Sequence, residues 1–421
     1  MSYAKRIHVH KPRTGGTALI SSFPSHGMVS IVGSVAGGGR LAGSDALAQA
    51  HAAMLLEGTK RRSKSDIQIA LDTMGASLSF AIQRDRLTFS AHVRDHHLKK
   101  LLILIAEVLI EPSFPVRELA IFKERTVAEL SLEGQDTRAQ AEINLSHLLY
   151  DSEHPNYQVS TEDSRAAFAK ITRAELVKYH IRAISRKTLV VSACGDMKSS
   201  ELFDMIERTF AKLPDNEVQL PPFVPAVPHR ARSITTSIED KASIDHRLGC
   251  ATAITKDNPD YPALVLGLQI LGNRSGFTGR LMKTVRKVEG LTYGVYAYPA
   301  GFNNADGYVT TWATFAPELY ERGKNAVMRE IRMIVTDGAT ADEVKKHRTM
   351  FEARSRVTIS NSGDLAHAAH DNAVEGHAPS YLDEFPQRVL KLTSKQINAA
   401  LKKYLILDDL SESAAGPIPQ A

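Results

Sequence analysis

The sequence predicts an α+β protein of two homologous domains, each an antiparallel sheet with helices packed on one side. Three observations favour this fold class. The chain of 421 residues is long enough for two domains of about 200 residues each. A proline-rich stretch, KLPDNEVQLPPFVPAVPHRAR, lies near its middle. On either side of that stretch, strand-like and helix-like segments follow in the same order, which indicates a duplicated α+β unit.

The first half opens with MVSIVGSVAGGG, which alternates like a strand and ends in glycines. A helix is predicted from Ser44 to Glu57, and a second over SDIQIALDTM, opened by a Ser or Asp cap and ended by Gly75. The remaining segments are the strands ASLSFAIQ and RLTFSAHV, the helices HHLKKLLILIAEVLI, PSFPVRELAIFKERTVAELSLEG and ITRAELVKYHIRAI, and the strand TLVVSACGD.

The second half repeats that order. Gly290 ends its second helix, RLMKTVRKV, in the place that Gly75 has in the first half. The other segments are the strand HRLGCATAI, the helix YPALVLGLQILG, the strands LTYGVYAYP and DGYVTTWATF, and the helices PELYERGKNAVMREIRMIV, TADEVKKHRTMFEARSRV and LTSKQINAALKKYL. So many echoes in one order are not expected by chance.

The proline-rich stretch marks the predicted domain boundary. Its prolines exclude helix and central strand and favour an extended, stiff connector. We therefore expect an N-terminal domain over residues 1–212, a linker over 213–232 and a C-terminal domain over 233–421.

Composition excludes several classes of protein. A hydrophobic fraction of 43% and a charged fraction of 24% are typical of a globular chain. The 52 basic and 47 acidic residues are interspersed, so the net charge of +5 forms no basic arm and no nucleic-acid partner is expected. Cys194 and Cys250 are far apart in apolar, strand-like segments, which leaves no disulfide framework or cysteine-rich metal site.

Targeting signals are not apparent in the sequence. The start, MSYAKRIHVHKPRTGG, has no apolar h-region, and no run of 18 apolar residues occurs. We expect no membrane span, and a cytoplasmic location for the chain as written, or a periplasmic one if it is a trimmed mature form.

The segment LAQAHAAMLLEGT, which begins within the predicted Ser44 helix, resembles LAHFLEHMLFKGT, the zinc helix of the pitrilysin and mitochondrial-processing-peptidase family. The Leu-Ala, Met-Leu and Gly-Thr frame matches in register. That family carries His-x-x-Glu-His, in which two histidines hold zinc and the glutamate polarises the attacking water. The resemblance puts Gln49 at the first histidine, Ala52 at the glutamate and Ala53 at the second histidine.

These replacements remove the zinc site. Alanine offers no donor atom, and glutamine is a poor zinc ligand. His51 lies two residues from Gln49, roughly 200° around a helix, and does not restore the pair. The resemblance implies a third ligand at Glu129, which would be left alone. We therefore expect no metal in this chain.

The segment RLMKTVRKVEGLTYGVYA is similar to a second feature of the family, an Arg and a Tyr seven residues apart that bind substrate backbone or the reacting carbonyl. Arg286 and Tyr293 have that spacing. Together, a guanidinium and a phenol can stabilise charge that develops on a peptide oxygen. The alternative is that Arg286 makes a surface ion pair and Tyr293 lies in the core.

The resemblance implies the zinc-less subunit of a heterodimeric metallopeptidase. Its partner would be a homologue of similar length that carries His-x-x-Glu-His and zinc, and extended peptides would be the substrates. Two alternatives remain open: a proteolytically inactive scaffold, and a peptide-binding homologue without a catalytic partner. A self-sufficient peptidase would need Gln49, His51 and Glu129 to form a site that helix geometry disfavours.

Three further motifs have simpler interpretations. The glycine run from Gly33 to Gly43 lacks the spacing of a phosphate loop and predicts a flexible turn. HAAHDNAVEGH, from His367 to His377, could bind a metal in principle, but is more typical of a solvated helix end. Trp312, the one tryptophan, is expected in the core.

Overall fold

The structure is a computed structural model that describes residues 2–83, 85–222, 225–227, 229–273, 276–302 and 305–418. It contains two compact units, each assembled from three stretches of chain. The first unit consists of Met1–Glu129, Ser164–Pro222 and Ser355–Glu384, and the second of Leu130–Asp163, Phe223–Arg354 and Phe385–Ala421. The sequence predicted continuous domains, whereas each unit consists of stretches that are separated in sequence by parts of the other unit.

The strands, in chain order, are β1 (Ile7–His10), β2 (Thr17–Ser22), β3 (Met28–Ala36), β4 (Ser77–Gln83), β5 (Arg86–Arg94), β6 (Val190–Gly195), β7 (Ser233–Ser237), β8 (Ile244–Ala251), β9 (Gly294–Ala300), β10 (Tyr308–Phe315) and β11 (Ser411–Gly416). The first unit holds a sheet in the order β1-β2-β6-β3-β5-β4, and the second unit one in the order β7-β11-β8-β10-β9. The α+β class is confirmed.

The α-helices, in chain order, are α1 (Gly39–Ala42), α2 (Asp45–Met54), α3 (Lys64–Met74), α4 (Leu98–Ile110), α5 (Val116–Glu133), α6 (Thr137–Leu149), α7 (Thr161–Lys170), α8 (Arg173–Ala183), α9 (Ser199–Phe210), α10 (Tyr261–Gly272), α11 (Tyr320–Thr336), α12 (Ala341–Val357), α13 (Ser362–Val374), α14 (Tyr381–Leu390) and α15 (Ser394–Tyr404). A π-helix spans Met282–Val288. None of the helices in the described ranges combines the length and apolar character that crossing a bilayer requires.

Each sheet is antiparallel except at one pair of strands. β2 runs parallel to β6 in the first unit, and β7 runs parallel to β11 in the second. The sequence predicted neither β2 (TALISS) nor β11 (SESAAG), because short segments of small and polar residues show weak alternation. Each sheet, predicted as antiparallel, therefore also contains one parallel pair of strands.

Helices cover both faces of the first sheet, whereas the sequence predicted helices on one side. On one face of β3, Ser30 Oγ lies 2.9 Å from Ser362 Oγ, and Ser34 Oγ lies 2.8 Å from His370 Nε2, so α13 packs there. On the opposite face, Phe89 of β5 contacts Phe210 of α9. Successive strand residues point to opposite faces, which allows both contacts.

The second sheet repeats this arrangement with α6. Ser413 Oγ donates a 2.6 Å hydrogen bond to the carbonyl of Ala141, and Asn144 Nδ2 donates one of 2.8 Å to Thr236 Oγ1. The helices α10, α11 and α15 form the apolar core of this unit on the other face. Thus α6, from the N-terminal half, covers the second sheet, and α13, from the C-terminal half, covers the first.

Local sequence explains where the paired helices begin and end. Ser63 and Asp66 form a capping box at the start of α3, so the cap precedes the predicted helix start at Ser65. Gly75 ends this helix with φ 56°, and Gly290 follows the π-helix with φ 66°. Glycine adopts this left-handed conformation without the steric cost of a Cβ atom.

Candidate functional site

The helix that resembles a zinc helix is α2, and most of the frame residues are buried. Ala48, Met54 and Leu55 are fully buried, so the Leu-Ala and Met-Leu frame anchors the helix in the first unit. Gln49 is exposed, Ala53 is half-buried and Ala52 is buried. This part of the family's motif therefore survives as packing, and the Gln49 amide is the one donor group left at its three replaced positions.

His51 faces the interior of the first unit. Its Nε2 atom lies 3.0 Å from Nδ1 of His180 on α8, and its ring meets Tyr179 edge-on. Burial, and secondarily the neighbouring His180, hold the pKa of His51 well below its usual range. Burial lowers the pKa of His180 to about 4. Both imidazoles are therefore neutral at pH 7, and His51 points away from the exposed Gln49.

Glu129, the expected third ligand, lies on the exposed side of α5. Its carboxylate is 65% exposed and lies 3.6 Å from Arg125 Nε, one helical turn earlier. Within the described ranges, no three His, Cys, Asp or Glu side chains are grouped so that they could hold a metal. An amide, two alanines and a single carboxylate do not fit a zinc ion, which prefers four nitrogen, sulfur or oxygen donors.

Arg286 lies near the end of the π-helix, where the sequence predicted an ordinary helix. The wider turn appears in the hydrogen bond from Glu289 N to Thr284 O, at 2.9 Å. The Arg286 guanidinium carbon lies 4.6 Å from the centre of the exposed Phe277 ring. In the part of the chain that the structure describes, no carboxylate lies within ion-pair distance of Arg286. Single-turn π-helices are frequent at functional sites.

Tyr293 precedes β9 and is 89% exposed, so it is not the core residue of the alternative interpretation. The backbone on either side of it is held in place. Leu291 is buried, and Thr292 Oγ1 accepts a 3.1 Å hydrogen bond from Gly294 N and donates to Thr314 O. The phenol hydroxyl has no hydrogen-bond partner among the described residues. A fixed backbone therefore presents a free donor to the outside.

Arg286 and Tyr293 both belong to the second unit and are both without a polar side-chain partner in the described structure. The guanidinium is charged at any physiological pH and donates five hydrogen bonds, and the phenol donates one. Donors of this kind can hold a peptide carbonyl and stabilise the negative charge that forms on it when it is attacked. Gln49, Ala52, Ala53 and Glu129 belong to the first unit.

The histidines of α13 are not at a solvated helix end. His370 is 2% exposed; its Nε2 is bonded to Ser34 Oγ, and its Nδ1 lies 3.0 Å from Asp371. His367 Nε2 lies 3.5 Å from Ser90 Oγ on β5. The expectation of solvation was therefore wrong, because it ignored a sheet whose residues lie some 280 to 340 positions away in sequence.

Sequence reasoning also missed polar groups around Trp312. The indole is 7% exposed, as expected of a core residue, but its Nε1–H donates a 2.6 Å hydrogen bond to Asp245. The guanidinium carbon of Arg138, on α6, lies 3.9 Å from the centre of the indole. The helix α6 was not predicted, so no sequence signal brought Arg138 to this sheet.

Comparison with known protein families identifies the family of the chain. The model for insulinase, peptidase family M16, matches residues 29–160. The model for the peptidase M16 inactive domain matches residues 170–351. The two models together span most of the sequence and both structural units. The chain belongs to peptidase family M16.

Its relatives include proteases with similarity over most of their length. An uncharacterized zinc protease of Mycobacterium leprae is 22% identical over 369 residues, which are 84% of this chain and 78% of that protein. Human mitochondrial-processing peptidase subunit beta is 21% identical over 383 residues, which are 87% of this chain and 75% of that subunit.

Solved structures share the fold over nearly the whole chain. A Pseudomonas fluorescens structure described as a peptidase M16 inactive domain has a TM-score of 0.89 and 25% identity, with 98% of both chains covered. A protease from Helicobacter pylori has a TM-score of 0.88 and 15% identity, with 98% of this chain and 99% of the other covered. The second likeness concerns the fold alone.

Proposed function

We propose that this chain is the zinc-less subunit of a heterodimeric zinc metalloendopeptidase. Its partner is a homologous subunit of similar length that carries His-x-x-Glu-His. Zinc and the glutamate that polarises the attacking water lie in that partner. This chain supplies Arg286 and Tyr293, which bind the peptide substrate and stabilise the transition state across the dimer.

One observation carries this proposal. The chain has alanine at the positions of the catalytic glutamate and the second histidine and an amide at the first histidine, yet it presents Arg286 and Tyr293 without polar side-chain partners in the described structure. A scaffold has no need of a phenol that is 89% exposed on a backbone held by Thr292. The exposure of Tyr293 and the lack of a polar partner for Arg286 are explained if both side chains bind a group outside the chain.

The substrate is an extended peptide held through its backbone. Tyr293 directly precedes β9, which is the last strand of its sheet and, among the described residues, pairs with β10 alone. An extended peptide can add to such an edge, so that affinity comes from main-chain hydrogen bonds that depend little on sequence. Loose sequence selection follows, with peptide length and side-chain pockets setting the limits.

The kinetic test uses the complex with its native partner, and compares Arg286→Ala and Tyr293→Phe with the unmodified chain. We expect kcat/KM to fall by about 10² or more in each variant, the scale for loss of one donor to the oxyanion. Arg332→Ala, which removes another exposed arginine of the same unit, is the matched control. Unchanged kcat/KM in both variants, with the complex intact by size-exclusion chromatography, would remove the pair from the mechanism.

A further inference from the structure

Near the β9 edge of the second sheet, Trp312 contacts two other side chains, Tyr296 and Arg138. The rings of Tyr296 on β9 and Trp312 on β10 lie 5.4 Å apart, with an angle of 14° between their planes. The Arg138 guanidinium carbon lies 3.9 Å from the centre of the indole. The indole on β10 thus contacts a phenol from the neighbouring strand β9 and a guanidinium from the helix α6. Trp is the strongest partner for a cation among the aromatic residues.

The position of Trp312 among these three side chains is fixed from two directions. Its Nε1–H is bonded to the buried carboxylate of Asp245, which also accepts a 2.5 Å hydrogen bond from Thr137 Oγ1 at the start of α6. Gly294 lies under the indole, since a Cβ atom there would come within 2.9 Å of the ring. The surface that supports Arg138 is therefore rigid.

Arg138 forms no ion pair within the described structure. The neighbouring carboxylate on α6, Glu142, is bound by the buried Arg247 at 2.6 Å. The two carboxylate oxygens of Asp245 accept hydrogen bonds from Trp312 and Thr137. Arg138 is exposed and has no carboxylate within ion-pair distance among the described residues. A cation that lies over an aromatic ring and has no counter-ion among the described residues can bind an anion from outside the chain.

This cation lies beside the proposed substrate edge. Trp312 contacts Gly294, the residue that follows Tyr293, and Tyr296 belongs to β9 itself. A peptide that pairs with β9 and reaches Tyr293 would pass these three side chains. Its main chain would bind the strand, while a side chain or its C-terminus would meet the guanidinium.

We propose that Arg138, held over Trp312, selects peptides that carry a carboxylate. The carboxylate is either an acidic side chain or the C-terminus of the peptide, bound by the guanidinium through charge-assisted hydrogen bonds. Arg138 is thus a specificity residue, and the inference rests on the proposed function in that its ligand is an extended peptide.

The test uses Trp312 as its own reporter, because the chain has a single tryptophan. The isolated full-length chain is titrated with short synthetic peptides that lack aromatic residues, and the emission of Trp312 is followed. One pair, blocked at both ends, differs by a central Glu or Gln. A second pair, without acidic side chains, differs by a free or an amidated C-terminus.

We expect a saturable change in emission, and a Kd about tenfold lower for the carboxylate member of at least one pair, as one charge-assisted hydrogen bond provides. The pair that shows the preference identifies the source of the carboxylate. Arg138→Gln should abolish the preference, Arg138→Lys should keep part of it, and the control Arg332→Gln should leave it unchanged.

Three results would overturn the inference: no saturable response to any peptide, equal affinity within both pairs, or a preference that survives Arg138→Gln. The proposed function fails separately. Without a zinc-bearing partner but with a carboxylate preference that depends on Arg138, the chain would be a peptide-binding protein. With turnover that depends on Arg286 but no such preference, only the role of Arg138 would be lost.

Discussion

The Nε2 atom of His51 lies 3.0 Å from the Nδ1 atom of His180, and this bond joins α2 to α8 in the core of the first unit. The helix that resembles a zinc helix therefore uses its one histidine for packing. One nitrogen must donate and the other must accept, so the pair is satisfied when at least one imidazole is neutral. A proton on the pair would place a charge in the core.

This pair predicts that the first unit is sensitive to acid. An unfolded histidine takes up its proton as the pH falls through about 6.5, whereas folded His180 stays neutral down to about 4. Between these values the unfolded state binds more protons, so stability falls as the pH falls. Well below pH 6.5, each such histidine lowers the free energy of unfolding by about 1.4 kcal/mol for each pH unit of acidification.

Chemical denaturation followed between pH 7 and pH 5 measures this dependence. We expect His180→Asn to be less stable at pH 7 but to lose less of its free energy of unfolding on acidification than the unmodified chain. His8→Asn, at an exposed position on β1, is the control. An equal slope in His180→Asn and the unmodified chain would show that the pair does not govern the response to acid.

A second prediction concerns the lost zinc site. Gln49 and Ala53 are four residues apart on α2 and therefore share one face, which is exposed at Gln49 and half-buried at Ala53. We expect the double variant Gln49→His, Ala53→His to bind about one zinc per chain, and the unmodified chain to retain none after dialysis. Zinc content is measured by atomic emission.

Glu129 provides the control for that experiment. If it stands at the third ligand position, adding Glu129→Gln to the double variant should weaken zinc binding sharply, because a neutral amide replaces a carboxylate ligand. Stoichiometric zinc in the unmodified chain would contradict the interpretation of α2. Equal zinc affinity with Glu129 or Gln at this position would contradict the assignment of Glu129.

A third prediction follows from the ring beside Arg286. Phe277 lies 4.6 Å from its guanidinium and orients it, at about 0.5–1 kcal/mol for an exposed cation–π contact. Phe277→Ala in the complex should therefore lower kcat/KM by about two- to fivefold. Phe277→Tyr, which keeps the ring, should retain activity. Equal losses in both variants would point to a structural effect instead of an orienting one.

The sequence was sufficient where burial imposes a regular pattern. Apolar residues alternate along the strand β5 and recur at the helical period in α4, because one side of each element packs in the core. Gly75 and Gly290 marked helix ends because a left-handed residue was needed there. These signals are local, so they can be read from a single chain.

The exchange of α6 and α13 between the units could not be predicted, since it depends on contacts between distant residues. Ser34 and His370, which are bonded to each other, are 336 residues apart. The position of Arg138 over Trp312 depends on the same exchange. For the candidate site, spacing selected Arg286 and Tyr293, but the exposure of Tyr293 depends on the way that Leu291 and Thr292 pin its backbone.

The most direct test of the central claim is native mass spectrometry of the tagged chain, purified gently from its own cells. One spectrum reports both the mass of the partner and the number of zinc ions. We predict a complex with a single zinc ion and about twice the mass of this chain, which is 46.2 kDa. A zinc-free monomer or homodimer would contradict the proposed heterodimer, and α2 would then have a structural role only.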